Sequence, residues 1–172
     1  ARKEGIILRT FPRITFLLTV KGDTPMDYRI VTKEAFNVYG IEEIFSTEDG
    51  KKLKDVPQFW LDCMNDGRMK KLMNSRGSEV APLHSICQYR ETGGNTFPYM
   101  IFAYETPGCN MEGFARLEVP AATWAGFTTE EHTPDQTSGL IQDLIKRVYT
   151  DWLPTANYQK VDGYELELYW NR

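Results

Sequence analysis

The sequence predicts an α+β domain in which helices cover one face of an antiparallel sheet. Three observations carry this expectation. A helical apolar stripe runs through residues 140–152, two apolar and aromatic stretches at 83–90 and 97–105 flank a Gly93-Gly94-Asn95 turn, and the order strand, helix, strand or hairpin occurs twice along the chain. At 172 residues and 41% hydrophobic content, the chain can bury one sizeable core.

The elements follow in order. Residues 28–44 read as one long strand, in which Tyr28, Ile30 and Thr32 alternate with charged or smaller side chains before the apolar run continues to Ile44. Gly40 inside it predicts a bulge or a close backbone approach that bends the strand without ending it. Asp55-Val56-Pro57-Gln58 then supplies a helix start, with an Asp cap, a proline tolerated in the first turn and a Gln three residues after the cap. Phe59, Trp60, Cys63 and Met64 fall on one helical face, Asn65-Asp66-Gly67 breaks it, and Met69, Leu72 and Met73 extend it by a turn or two before Gly77. The Gly-Gly-Asn turn makes the next two stretches a hairpin.

Strand signals resume from Phe114 to Thr129, broken at Pro120, and Thr133-Pro134-Asp135-Gln136 opens a second helix in capping-box order. In that helix Leu140, Ile141, Leu144, Ile145, Val148, Tyr149 and Trp152 form the apolar face, while Gln142, Asp143, Lys146 and Arg147 take the other. A last strand, Tyr164 to Trp170, follows an Asp162-Gly163 turn signal. With one gap, Arg29-Ile30-Val31 through Ala35 and Gly40 can be laid over Arg116-Leu117-Glu118 through Ala122 and Gly126, which points to an internal repeat.

Composition excludes several function classes. Lys plus Arg number 20 against 24 Asp plus Glu, with no basic block, so these residues are not expected to grip a phosphate backbone themselves. The longest apolar stretch, Ile14 to Val20, is far short of the ~20 residues of a membrane helix. The first residues, Ala-Arg-Lys-Glu-Gly, have neither a signal-peptide core nor a start methionine, so the chain reads as a cytoplasmic piece of something longer. Cys63, Cys87 and Cys109 stand far apart with only His84 and His132 to help them, and no metal or cofactor is expected. They read as reduced cysteines packed as small apolar groups. The sequence also carries no nucleophile elbow and no phosphate-binding glycine loop.

Several motifs resemble a known family. Phe11-Pro12-Arg13-Ile14-Thr15-Phe16, Val20-Lys21-Gly22 and Met26-Asp27-Tyr28-Arg29-Ile30-Val31, leading to Ala35-Phe36 and Gly40, resemble the junction after the helix-turn-helix region of AraC-type transcription regulators. Ala1-Arg2-Lys3 resembles the tail of that DNA-binding region. Val56-Pro57-Gln58-Phe59-Trp60, Thr123-Trp124-Ala125-Gly126-Phe127, Asp151-Trp152-Leu153-Pro154 with Tyr158, and the closing Glu165-Leu166-Glu167-Leu168-Tyr169 resemble the GyrI-like effector domain, in order and over nearly the whole chain. The resemblance implies two β-α-β-β modules forming one sheet, with a cleft between them where lipophilic, often cationic, compounds meet aromatic walls and a buried carboxylate. Residues 1–24 then become a linker and lead-in and 25–172 the effector-binding domain, with pseudo-repeats near 25–107 and 112–172. The acidic loop Glu130-Glu131-His132 departs from the glycine-containing turn of the family.

The last strand offers Glu165, Glu167 and Tyr169 on one face and Tyr164, Leu166, Leu168 and Trp170 on the other. If the apolar set packs under the helices, the acidic face looks into the cleft, where a carboxylate among aromatic rings favours a cationic guest or takes up a proton. Alternation does not choose between the two glutamates; the resemblance of the Glu-Leu-Tyr ending selects Glu167. A 13% aromatic content suits recognition of flat or cationic guests. The ligand-binding candidates are therefore Glu167, Trp60, Tyr99, Tyr104, Trp124 and Tyr169, with Trp152 read as core. Tyr99 and Tyr104 lie on opposite faces of a regular strand, so both line the cleft only if that strand bulges.

Three functions are in play. The first is the effector-binding domain of a transcription regulator, taking a small molecule and touching DNA only through an N-terminal helix-turn-helix region outside these residues. The second is a hydrolase of strained cyclic electrophiles, using Glu167 as base and a cleft tyrosine such as Tyr104 as proton donor. The third is a stand-alone protein that sequesters a drug.

Overall fold

A computed structural model describes residues 13–22, 28–77 and 81–170. Its elements are β1 (Arg13–Gly22), β2 (Arg29–Lys33), β3 (Phe36–Ser46), α1 (Lys52–Asn65), α2 (Arg68–Ser75), β4 (His84–Cys87), β5 (Thr96–Tyr104), β6 (Ala115–Val119), β7 (Ala122–Thr128), α3 (Thr137–Arg147) and β8 (Tyr158–Trp170). The strands form one sheet in the order β2-β7-β1-β8-β4-β5-β3-β6, with every pairing antiparallel.

That order is a palindrome about the β8–β4 seam. The quartet β2-β7-β1-β8 carries α3, and the quartet β6-β3-β5-β4 carries α1 and α2, so each half presents the same edge, hairpin and seam positions. The seam is short, with Ser85 opposite Glu167, Ile86 opposite Leu166 and Cys87 opposite Glu165. Residues 13–22, read from sequence as part of a lead-in, form the central strand of the first half.

The single strand expected over residues 28–44 is two strands, β2 and β3, separated at Glu34-Ala35. They remain one ribbon nonetheless. Lys33 stands opposite Ala122 and Phe36 opposite Val119, which is the same register on both sides of the break, and Pro120-Ala121 interrupts the partner at the matching place. Because β2 and β6 are the two sheet edges, this shared ribbon requires the sheet to curl until its ends meet. Gly40 gives no bulge: the β3–β5 register runs unbroken from Val38/Tyr104 to Ser46/Thr96. The glycine instead permits a close approach, since a Cβ there would sit 1.9 Å from the Ile101 carbonyl oxygen.

Helix α1 begins at Lys52, earlier than the Asp55 start expected, and so carries Pro57 inside it. Its end is as the sequence indicates, with Gly67 at φ 91° before α2. Pro120 separates β6 from β7, and Gly93 and Gly94, both at positive φ, turn the β4–β5 hairpin. Before α3, Thr133 and Gln136 form the expected capping box, with the Thr133 N–H donating to Gln136 Oε1 at 3.1 Å. After α3 the helix widens, with the Leu153 N–H bonded to the Val148 carbonyl at 2.8 Å. Strand β8 starts at Tyr158, so Asp162-Gly163 is not a turn before the strand but part of an irregularity within it.

Three apolar clusters hold the fold. Ile14, Phe16, Leu18 and Phe127 pack against Ile141, Leu144, Val148 and Trp152 of the α3 region. Tyr39, Phe45, Tyr99 and Ile101 pack against Phe59, Cys63, Met69 and Leu72 of α1 and α2. The third lies on the other face of the curled sheet and joins both halves through Leu17, Val38, Ile86, Met100, Phe102, Val119, Trp124, Leu166 and Leu168. Side-chain alternation explains the division: Leu166 and Leu168 belong inside the curl, which leaves Glu165, Glu167 and Tyr169 on the helix side. This corrects the sequence expectation, in which the apolar set of the last strand lay under the helices.

Candidate ligand-binding site

The two helix-side cores are distinct clusters of buried residues, bridged at the seam by the half-buried Trp60. There the sheet presents a polar floor of Ser85 and Cys87 from β4, Tyr99 from β5, and Glu165, Glu167 and Tyr169 from β8. Pairing puts them side by side, since Glu167 is cross-strand to Ser85 and Glu165 to Cys87, which is in turn opposite Tyr99. Trp60 of α1 and Tyr149 beyond α3 stand over this floor from either side.

Glu167 is held by two hydroxyls, Tyr169 Oη at 2.9 Å and Ser85 Oγ at 3.2 Å, both donating to Oε2. Among the described residues no cation pairs with it. Burial raises the Glu167 pKa above its ordinary 4.5; the two hydroxyl donors pull it back, and the neighbouring Glu165 charge raises it further. The same burial, with Glu167 beside them, pushes the Tyr99 and Tyr169 hydroxyls well above the usual tyrosine range.

Glu165 sits differently. The Tyr149 hydroxyl donates to its Oε1, the Cys87 thiol lies 3.7 Å from its Oε2, and Lys160 Nζ stands 3.8 Å from Oε1. Trp60 closes the α1 side. Its indole N–H donates to Tyr99 Oη at 2.8 Å, and its ring meets that of Tyr169 edge-on at 5.4 Å between centroids.

Of the six sequence candidates, the structure brings together Glu167, Trp60, Tyr99 and Tyr169. Tyr104 and Trp124 lie on the opposite face. Strand β5 has no bulge, so Tyr104 points into the curl beside Phe36, Phe102 and His84, and Trp124 is fully buried there. The tyrosine in reach of Glu167 is therefore Tyr169, not Tyr104. An open hollow of about 530 Å³ adjoins Phe36, Tyr104 and Pro107, but its one charged lining residue is Glu105. Its described lining lacks the paired carboxylates of the seam.

Sequence reasoning missed Ser85, Cys87 and Tyr149. The first two share a strand face with Leu83, and period-two reading of β4 against β8 could have found them. Tyr149 was absorbed into the apolar face of its helix; its hydroxyl reaches the floor because that face ends at the seam.

A family model for the GyrI-like small molecule binding domain matches residues 26–172. The chain belongs to this family. The GyrI-like fold is also seen in two solved structures at low identity. One is SAV2435 bound to tetraphenylphosphonium, with TM-score 0.58 and 13% identity, covering 85% of this chain and 93% of the other. The second is a candidate bacterial transcription regulation protein from Staphylococcus aureus MU50, with TM-score 0.56 and 12% identity, covering 86% and 98%. No protein with a curated description matches the sequence. Among the described residues no cluster of His, Cys, Asp and Glu could hold a metal ion, and no helix is long and apolar enough to cross a membrane.

Proposed function

We propose that this GyrI-like domain binds a lipophilic organic cation at the seam, with Glu167 as its counter-ion and Trp60, Tyr99, Tyr149 and Tyr169 as its aromatic surround. The observation that carries the reading is Glu167 itself, a half-buried carboxylate held by hydroxyls and, among the described residues, paired with no cation. A buried carboxylate is stabilised by a partner of opposite charge, and rings around it add cation–π attraction. That a protein of the same fold was solved with tetraphenylphosphonium supports the choice of guest. In this reading the domain is the cytoplasmic effector-binding part of an AraC-type regulator, and ligand binding biases the state of a DNA-binding region preceding it. A candidate regulator among the similar structures and the regulator-like motifs of residues 1–36 support that role.

Calorimetry with two ions of one shape and opposite charge tests the binding claim. Tetraphenylphosphonium is expected to bind and tetraphenylborate not to; equal binding of both would remove the carboxylate from the account. A second reading, hydrolysis of a strained electrophile, is favoured by the Tyr169–Glu167 contact, which supplies a donor and a base within 2.9 Å. It requires turnover of such an electrophile that disappears in Glu167→Gln.

A further inference from the structure

The two carboxylates of the floor are not equivalent, and the difference comes from an irregularity in β8. In a regular strand, residues 160 and 165 would lie about 16 Å apart and on opposite faces. Here the β1–β8 register passes from Leu18/Glu165 to Val20/Lys160, so residues 161–164 all stand opposite residue 19. Gly163, at φ 119°, takes the left-handed conformation this excursion needs. The loop of extra strand carries Lys160 back until Nζ lies 3.8 Å from Glu165 Oε1. Glu167, two residues further on the same strand face and about 7 Å away along it, receives no such partner among the described residues.

Resting on the cation-binding reading above, we infer that Lys160 is a built-in counter-cation that occupies the second carboxylate, and that an aromatic dication is a further ligand class, placing one charge at Glu167 and displacing Lys160 from Glu165 with the other. The pairing makes this exchange feasible. Lys160 is held through a single ammonium contact at 3.8 Å, near the outer limit of an ion pair, and its half-buried side chain keeps 22% exposure at the bulge, so an incoming cation has one long contact to replace. A monocation has no need to disturb it, because Glu167 alone answers one charge. The Tyr149 hydroxyl and Cys87 thiol remain on Glu165 in either state and keep the carboxylate in place for the incoming charge.

A matched pair of probes tests this: para-phenylene-bis(trimethylammonium) and its monocationic analogue phenyltrimethylammonium, titrated into the parent chain, Lys160→Met, Glu165→Gln and the double variant. Methionine keeps the stem and removes the charge. Lys160→Met is expected to strengthen dication binding by about tenfold and monocation binding by less than about threefold, and Glu165→Gln to weaken the dication alone. In the Glu165→Gln background the Lys160 substitution is expected to change neither probe, because the two residues act as a pair. Equal strengthening of both probes, or an undiminished Lys160 effect without Glu165, overturns the inference and leaves the Glu167 site standing. Failure of the parent to bind either probe or tetraphenylphosphonium overturns the cation-binding reading itself, and the inference with it.

Discussion

The side-chain amide of Gln142 on α3 donates to the backbone carbonyl of Leu53 on α1 at 2.9 Å. That carbonyl is free because Pro57, four residues later, has no N–H to give it. A proline inside a helix thus creates an acceptor, and the helix of the other half fills it, tying together the two elements that flank the seam.

Substituting Gln142→Ala is expected to cost about 1 kcal/mol by removing this bond. Pro57→Ala restores the intrahelical donor to Leu53, so in that background Gln142→Ala is expected to cost much less. Urea midpoints of the four chains measure the coupling, and strictly additive effects would refute it.

His84 gives a pH dependence of stability. Buried at 4% exposure, it accepts the Tyr169 N–H at Nδ1 over 3.0 Å, which requires a neutral ring. Burial, aided by Arg76 and Lys33, lowers its pKa from 6.5 to about 4. The folded form therefore stays neutral while the unfolded chain takes up a proton, so this stability is fully present above pH 6.5 and is lost as pH falls toward about 4. The gap corresponds to roughly 3 kcal/mol. His84→Asn, which keeps an acceptor but does not titrate, is expected to flatten the decline of the urea midpoint between those limits.

The two glycines that match across the internal repeat should not tolerate alanine equally. A Cβ on Gly40 meets the Ile101 carbonyl at 1.9 Å, whereas one on Gly126 meets Leu17 Cδ2 at 2.8 Å. Backbone cannot yield as a leucine methyl can. Gly40→Ala is expected to cost more than roughly 3 kcal/mol and Gly126→Ala roughly 1–3 kcal/mol, read from thermal or urea unfolding.

Much of this architecture was legible in the chain. Helix α3 announced itself through its apolar spacing and Thr133-Pro134-Asp135-Gln136, and Pro120 marked the break in the β6–β7 ribbon because its missing N–H cannot join a ladder. The repeat of Gly40 at Gly126 reflected the palindromic sheet. The break at Glu34-Ala35 was hidden because it keeps its register and has no proline or glycine. The side taken by Leu166 and Leu168 was hidden for another reason: alternation fixes which residues share a face, and only the curl of the sheet decides which face is inside. Glu167 needed the resemblance to be chosen over Glu165. Trp124 and Tyr104 were attractive as aromatics, yet period two and the seam position place them under the wrong surface for a floor carboxylate.

Titration of tetraphenylphosphonium into the parent and into Glu167→Gln, followed by calorimetry, tests the central claim most directly. The account expects at least a tenfold loss of affinity, about 1.4 kcal/mol, in Glu167→Gln, with Trp124→Phe and Tyr104→Phe binding as the parent does. Unchanged affinity in Glu167→Gln, or a loss confined to the variants inside the curl, would contradict it.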